Sequence, residues 1–172
     1  FHILGILAFL NYLPYSKHFH IILAFPNTYY SNLEPKGSFT NMASVKNEVQ
    51  MMMDPNADPY AAPVEAEDAE APGRFGAKDV NDLNWVQLMN AYSCTECGRC
   101  TSECPANHTG KLLSPRKIMM DTRDRLEEFG ANVSANGKDG DDGKSLLDDY
   151  ITREELWACT SCNACTQACP IN

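Results

Sequence analysis

Eight cysteines fall in two stretches, SCTECGRCTSECP at residues 93–105 and ACTSCNACTQACP at residues 158–170, and none lies elsewhere. The stretches are 65 residues apart, agree at seven of thirteen positions and share the spacing C-x-x-C-x-x-C-x-x-x-C-P. A repeat of this kind constrains the fold more than any other feature of a chain. Disulfides, thiolate zinc and iron-sulfur clusters all use cysteine at this density. Disulfide scaffolds belong to short secreted chains, and 172 residues opening at Phe1 without a cleavage pattern weigh against that reading. Structural zinc draws on two separated C-x-x-C pairs that complete one tetrahedron. Here each stretch offers three thiols within seven residues, which suits a tight loop around a cubane, with a fourth thiolate supplied from elsewhere.

The run C-x2-C-x2-C-x3-C-P is the bacterial 4Fe-4S pattern, whose fourth cysteine serves the other cluster in two-cluster proteins. On this sequence Cys94, Cys97, Cys100 and Cys169 are expected to hold one cluster, and Cys159, Cys162, Cys165 and Cys104 the other. The crossing makes cluster assembly part of the folding free energy. Pro105 and Pro170 follow both fourth cysteines and are expected to set the chain's exit from each loop. A colourless zinc module is the competing reading.

The elements that must position these loops lie around them. Residues 1–45 carry one acid and two bases, residues 46–80 eight acids and three bases, and residues 81–172 fourteen acids and nine bases. Only the last part reads as a domain. The stretch MMMDPNADPYAAPVEAEDAEAPGRFG is rich in Ala, Pro and acid, which predicts an extended linker. A net charge of -9 without a basic patch excludes nucleic acid as a partner. NDLNWVQLMNAYSC predicts a helix into the first loop, with Leu83, Val86, Leu88 and Met89 on one period, Asn81 or Asp82 as cap, and Trp85 in the core. Ser114 and Pro115 open SPRKIMMDTRDRLEEFG, a helix expected to stop at Gly130. Thr152 and Glu155 form a capping box for a helix into the second loop. ANGKDGDDGKS, residues 135–145, lacks the ligand positions of an EF-hand and reads as a solvated loop.

The helical entries, the 54 residues between Cys104 and Cys159, and GKLLSPRKIM resemble the α-helical ferredoxin domain found in the small iron-sulfur subunit of heterodisulfide reductase and its relatives. Those relatives include the iron-sulfur subunits of anaerobic glycerol-3-phosphate dehydrogenase and, more distantly, succinate dehydrogenase. The resemblance covers about residues 80–172. It implies a mainly α fold, an α-helical ferredoxin domain with two 4Fe-4S clusters, joined by a linker to the end of a transmembrane helix.

FHILGILAFLNYLPYSKHFHIILAFP, residues 1–26, has an apolar run too short to span a bilayer by itself. It reads as the remaining end of a longer membrane domain, with Tyr12 and Tyr15 at the interface and Lys17 on the cytoplasmic side. His2 and His20 are 18 residues apart, so one helix would carry both on one face about 27 Å apart, with His18 turned about 200° away. The H-x17-H spacing with P-x-S-x-x-x-H inside it resembles the last helix of the respiratory nitrate reductase gamma subunit and of the membrane subunit of heterodisulfide reductase. That resemblance implies two b-type haems, one on each histidine. His108, in PANHTGK, reads as a turn residue.

Three domains are therefore expected: 1–30 the end of a membrane anchor, 31–80 a juxtamembrane segment and linker, and 81–172 the dicluster module. The expected function is electron transfer between a quinone- or haem-bearing anchor and a catalytic domain or redox partner, at the membrane with the clusters on the cytoplasmic side. A soluble dicluster carrier is the alternative. No nucleophile with its base, phosphate loop or dinucleotide fingerprint occurs, so no catalytic residue is assigned.

Overall fold

Asp79 accepts hydrogen bonds from Val80 N at 2.8 Å and Leu146 N at 3.0 Å, and its carboxylate faces a guanidinium that organises much of the surrounding chain. The computed structural model describes residues 1–16, 18–35, 37–38, 41, 43–54, 76–137 and 142–171. Contacts divide the chain into two units, one of residues 1–37 with 78–172 and the other of residues 38–77. Among the described residues the chain is helical, with no strand beyond an isolated bridge between Leu147 and Ile151. The smaller unit contributes α3 (Ala43–Met53), with Val45, Val49 and Met51 to Met53 exposed. Residues 55–75 of the expected linker, and Lys17, lie outside the described residues.

The larger unit opens with α1 (His2–Tyr12), an uncharged helix that buries none of its residues. The one continuous helix expected to carry both His2 and His20 is not formed. Pro14 has no amide hydrogen for the helical ladder, and Leu13–Tyr15 tightens into a 3₁₀ turn. Ser16 then turns extended, its Oγ donating to Leu13 O at 3.0 Å and accepting from His18 N at 3.2 Å. The chain restarts as α2 (His20–Tyr29). At 11 residues α1 is about 16 Å long, half of a bilayer core, and no described helix is long and apolar enough to cross a membrane.

α4 (Trp85–Ser93) begins later than expected, since Asp79 first captures Val80–Asp82 in a turn of its own. Its cap is Asn84, in a reciprocal box with Gln87 at 2.9 Å each way. α2 packs on α4 through edge-to-face pairs, Phe19 with Tyr92 at 6.1 Å and Tyr30 with Trp85 at 4.6 Å. Trp85 is thus a surface partner of α2, 56% exposed, and not a core residue. Asn27 of α2 is buried and donates to Ile171 O at 3.1 Å, joining the N-terminal segment to the end of the second cysteine stretch.

After α5 (Arg99–Ser102) and α6 (Pro105–His108), α7 (Pro115–Asn136) runs 22 residues from its Ser114 cap. It passes through Gly130, whose cost of about 1 kcal/mol in a helix interior is too small to stop it. The stop is Gly137, at φ +82°. α8 (Arg153–Trp157) follows the Thr152–Glu155 capping box, and α9 (Ala164–Ala168) closes the chain.

Arg125 of α7 is the largest fully buried side chain. Its Nε and Nη2 donate to the two Asp79 oxygens at 3.0 and 2.7 Å, and Nη2 also reaches Asp142 Oδ1 at 3.0 Å and Lys144 O at 2.8 Å. The segment read as a solvated loop therefore supplies part of the interior, although residues 138–141 lie outside the described ones. Hydrogen bonds from Arg125 hold the Asp142 carboxyl down at about 2. Burial acts to raise Asp79, but Arg125 and the backbone amides outweigh it and keep it below the ordinary value. Both carboxylates are depressed, so their stabilisation is complete above about pH 4 and is lost as the pH falls toward 2. Arg125→Ala leaves two carboxylates without their fork and is expected to cost about 3 kcal/mol in anaerobic denaturant unfolding of the cluster-loaded chain. An unchanged midpoint would contradict this role.

Candidate metal centre

The two cysteine loops have one backbone in two copies. Cys94 is the C-cap of α4 and leaves it extended, at φ −60° and ψ 121°. Two residues on, Glu96 has φ 58°, and two further on Gly98 has φ 82°. At the same places in the second loop Ser161 has φ 53° and Asn163 has φ 59°. Left-handed residues at these positions curl the chain, and two of the four, Glu96 and Ser161, are residue types that ordinarily avoid the region. Gly98 and Asn163 then cap α5 and α9, which pack against each other. The fourth cysteines also correspond, Cys104 at φ −79° and ψ 115° and Cys169 at φ −74° and ψ 123°.

The loops enclose a cavity of about 330 Å³ lined by Cys94, Cys97, Cys100, Cys159, Cys165 and Cys169. The rest of the wall is largely apolar, including Leu113, Ile118, Met119, Leu156 and Ile171, with Arg116 as its one charged residue among those described. Cys104 is buried against Ala106 and Leu113 nearby, whereas Cys162 stands exposed. Burial pushes the Cys94 thiol up, and Cys100 and Cys169 add to the effect. Cys165 is raised by burial and then by Cys159 and Cys104, so each loop feels the fourth cysteine of the other. The Cys162 thiol is lowered by the Ala164 amide and the Thr160 hydroxyl. Ser161 N donates to Cys159 Sγ at 3.4 Å.

Among the described residues no three His, Cys, Asp or Glu side chains converge to hold a single metal ion. The thiols instead ring a volume, which matches a cluster whose corner irons each take a different cysteine. Soft thiols without a carboxylate or histidine in the wall fit iron-sulfur chemistry. Thiolates crowded into an apolar cavity repel one another, and cationic iron removes that penalty.

Helix α7 clamps both loops. Arg123 Nη1 donates to Glu96 Oε1 at 2.8 Å inside the first loop. Lys117 Nζ meets buried Glu155 of α8 at 3.0 Å and Tyr150 O at 3.1 Å, fixing the helix that leads into the second. Thr101 Oγ1 lies 2.9 Å from Ser114 Oγ and accepts from Arg116 N at 3.2 Å. Sequence reasoning missed these clamps, since a lysine or arginine on a helix gives no sign of its partner. The glycine facing an asparagine in the aligned motifs was the readable trace of the shared left-handed turn.

The histidines are not gathered here. His2 opens α1 and His20 opens α2, so the shared face and five-turn separation expected for them do not exist. The rings of His18 and His20 are neighbours at 6.3 Å, against the opposite orientation expected from one straight helix. His108 ends α6 and hydrogen bonds Ser102 O through Nε2.

Residues 93–172 match the family model described as a 4Fe-4S dicluster domain. The chain is thus iron-sulfur oxidoreductase-like and carries such a domain. It is 32% identical over 199 residues to the probable iron-sulfur-binding oxidoreductase FadF of Bacillus subtilis, covering 99% of this chain and 25% of that protein. It is 27% identical over 190 residues to the EtfAB:quinone oxidoreductase of Syntrophomonas wolfei, covering 99% and 23%. A subunit of the ferredoxin/F(420)H(2)-dependent CoB-CoM heterodisulfide reductase of Methanosarcina acetivorans is 35% identical over 83 residues, 48% of this chain and 37% of that one. The chain spans about a quarter of the length of the first two relatives. No solved structure matches.

Because Asn163 occupies the slot of Gly98 and the nearest atom to a Cβ there is Arg116 Nη1 at 3.7 Å, the restriction on Gly98 is its φ and not space. Gly98→Asn is expected to keep full iron content after anaerobic reconstitution, while Gly98→Val, which disfavours positive φ, loses cluster from the first loop. Equal iron content in both variants would refute the backbone argument.

Proposed function

We propose that the chain carries electrons through two 4Fe-4S clusters, with Cys94, Cys97, Cys100 and Cys169 ligating one and Cys159, Cys162, Cys165 and Cys104 the other. The observation that carries this reading is the thiol-lined cavity to which both loops contribute, with Cys169 close enough to Cys94 to act on its thiol. The clusters supply one-electron redox chemistry. The chain's own residues curl the two loops, exclude water with Leu113, Ile118 and Met119, and donate amide hydrogens toward sulfur, as Ser161 does to Cys159.

In the whole protein this module is a relay of a membrane-associated iron-sulfur oxidoreductase, passing electrons between a quinone-linked membrane part and a redox partner or catalytic domain. The alignment of nearly the whole chain with a relative named as an EtfAB:quinone oxidoreductase supports the quinone link. The uncharged α1, exposed along its length, supports contact with lipid or with apolar helices of an anchor. Lys17 directly after this segment supports a cytoplasmic face for the clusters. Haem ligation by His2 and His20 retains only the H-x17-H and P-x-S-x-x-x-H resemblance as support, since they stand on separate helices.

The anaerobically reconstituted full chain is expected to bind about eight irons and eight sulfides. A colourless protein holding two zinc ions would defeat the reading. Cys104→Ser is expected to alter chiefly the electron paramagnetic resonance signal of the cluster held by Cys159, Cys162 and Cys165. A change confined to the first-loop signal would overturn the crossed assignment.

A further inference from the structure

The two loops share a backbone but not a charge pattern. The first stretch has Glu96, Arg99 and Glu103 where the second has Ser161, Ala164 and Ala168. Two guanidinium groups of α7 fall on the first loop. Arg123 pairs with Glu96 at 2.8 Å and screens its charge, while its Nε also meets Asp124 at 3.3 Å. Arg116 lines the cavity shared by both loops, but its Nη1 is the nearest atom to a Cβ placed on Gly98 of the first loop, at 3.7 Å, its amide donates to Thr101 Oγ1 at 3.2 Å, and it forms no ion pair among the described residues. Beside the second loop the nearest clamp is Lys117, already matched by Glu155 and Asp121. A guanidinium without an ion pair among the described residues therefore sits beside the first loop, while the cation beside the second is matched.

A one-electron reduction adds negative charge to a cluster, and fixed positive charge close to it in an apolar wall favours the reduced state. Resting on the reading that each loop holds a 4Fe-4S cluster, we propose that Arg116, with Arg123 screening Glu96, makes the first-loop cluster the more readily reduced of the two. One electron passing from the second-loop cluster to the first oxidises the former by one and reduces the latter by one, with no further reactant. The electron then rests in the loop that continues from α4, the helix on which α2 packs. Arg116 and Arg123 are positioning residues in this scheme, acting on potential without contributing a ligand.

The test is a potentiometric titration of the anaerobically reconstituted full chain, followed by electron paramagnetic resonance, with signals assigned through Cys97→Ser and Cys162→Ser. The first-loop signal is expected at the higher potential. Arg116→Gln is expected to lower it while leaving the second-loop signal nearly unmoved, and Arg116→Lys, which keeps the charge, to hold it near the wild-type value. Arg123→Gln is expected to lower it as well by exposing the Glu96 charge, and adding Glu96→Gln to restore it. A purely structural role for the pair predicts no such rescue. Two intact clusters with the second-loop signal at higher potential, or with both signals shifted equally by Arg116→Gln, would overturn the charge assignment alone. Iron and sulfide content short of two clusters in the wild-type chain would remove this inference together with the dicluster reading.

Discussion

Thiolates cannot be crowded into an apolar cavity without a cation to neutralise them, and the organisation of the larger unit follows from that electrostatic constraint. Six of the eight cysteines face one cavity, and burial pushes two of them, Cys94 and Cys165, toward the neutral thiol. Iron held by these cysteines would reverse this preference and tie the two loops together. The rest of the interior is thin, with Val80, Ala91, Cys104, Ala106, Leu113 and Ile151 as the buried apolar residues among those described beyond residue 78. A core this small gives the two loops, the short helices around them and α7 little to hold them together, so cluster binding would carry a large share of folding.

What the clusters join, α7 aligns. Three cations along it reach different parts of the fold: Lys117 to the helix before the second loop, Arg123 into the first loop, and Arg125 to Asp79 and Asp142. Arg125 is buried while its two carboxylates stay in partial contact with water, an arrangement in which the fork geometry of arginine matters more than its charge alone. The consequence for function is rigidity around the redox groups. Electron transfer requires little rearrangement of the site between its oxidation states, and a loop pinned by Arg123 and packed on α9 supplies that.

The cysteine repeat stated the chemistry of this chain at sight, because ligand spacing is local and each loop encodes its own curl. Caps were legible for the same reason: Ser114 and the Thr152–Glu155 box stand where the sequence places them. The break at Pro14 was equally local, yet the histidine spacing argued for one helix and the competing signal, a proline followed by a capping serine, won. Trp85 was misjudged and Arg125 passed unremarked because burial is a long-range property. Nothing in TRDRLEE announces that one arginine is enclosed by residues 46 positions back and 17 ahead. The left-handed Glu96 and Ser161 were invisible too, as neither residue type favours that conformation and the loop imposes it.

Anomalous diffraction at the iron edge from anaerobically grown crystals of the loaded chain tests the central claim most directly. Two compact four-iron peaks are predicted, one bounded by Cys94, Cys97, Cys100 and Cys169 and the other by Cys159, Cys162, Cys165 and Cys104. Single tetrahedral ions, or a cluster whose four cysteines all come from one loop, would contradict it.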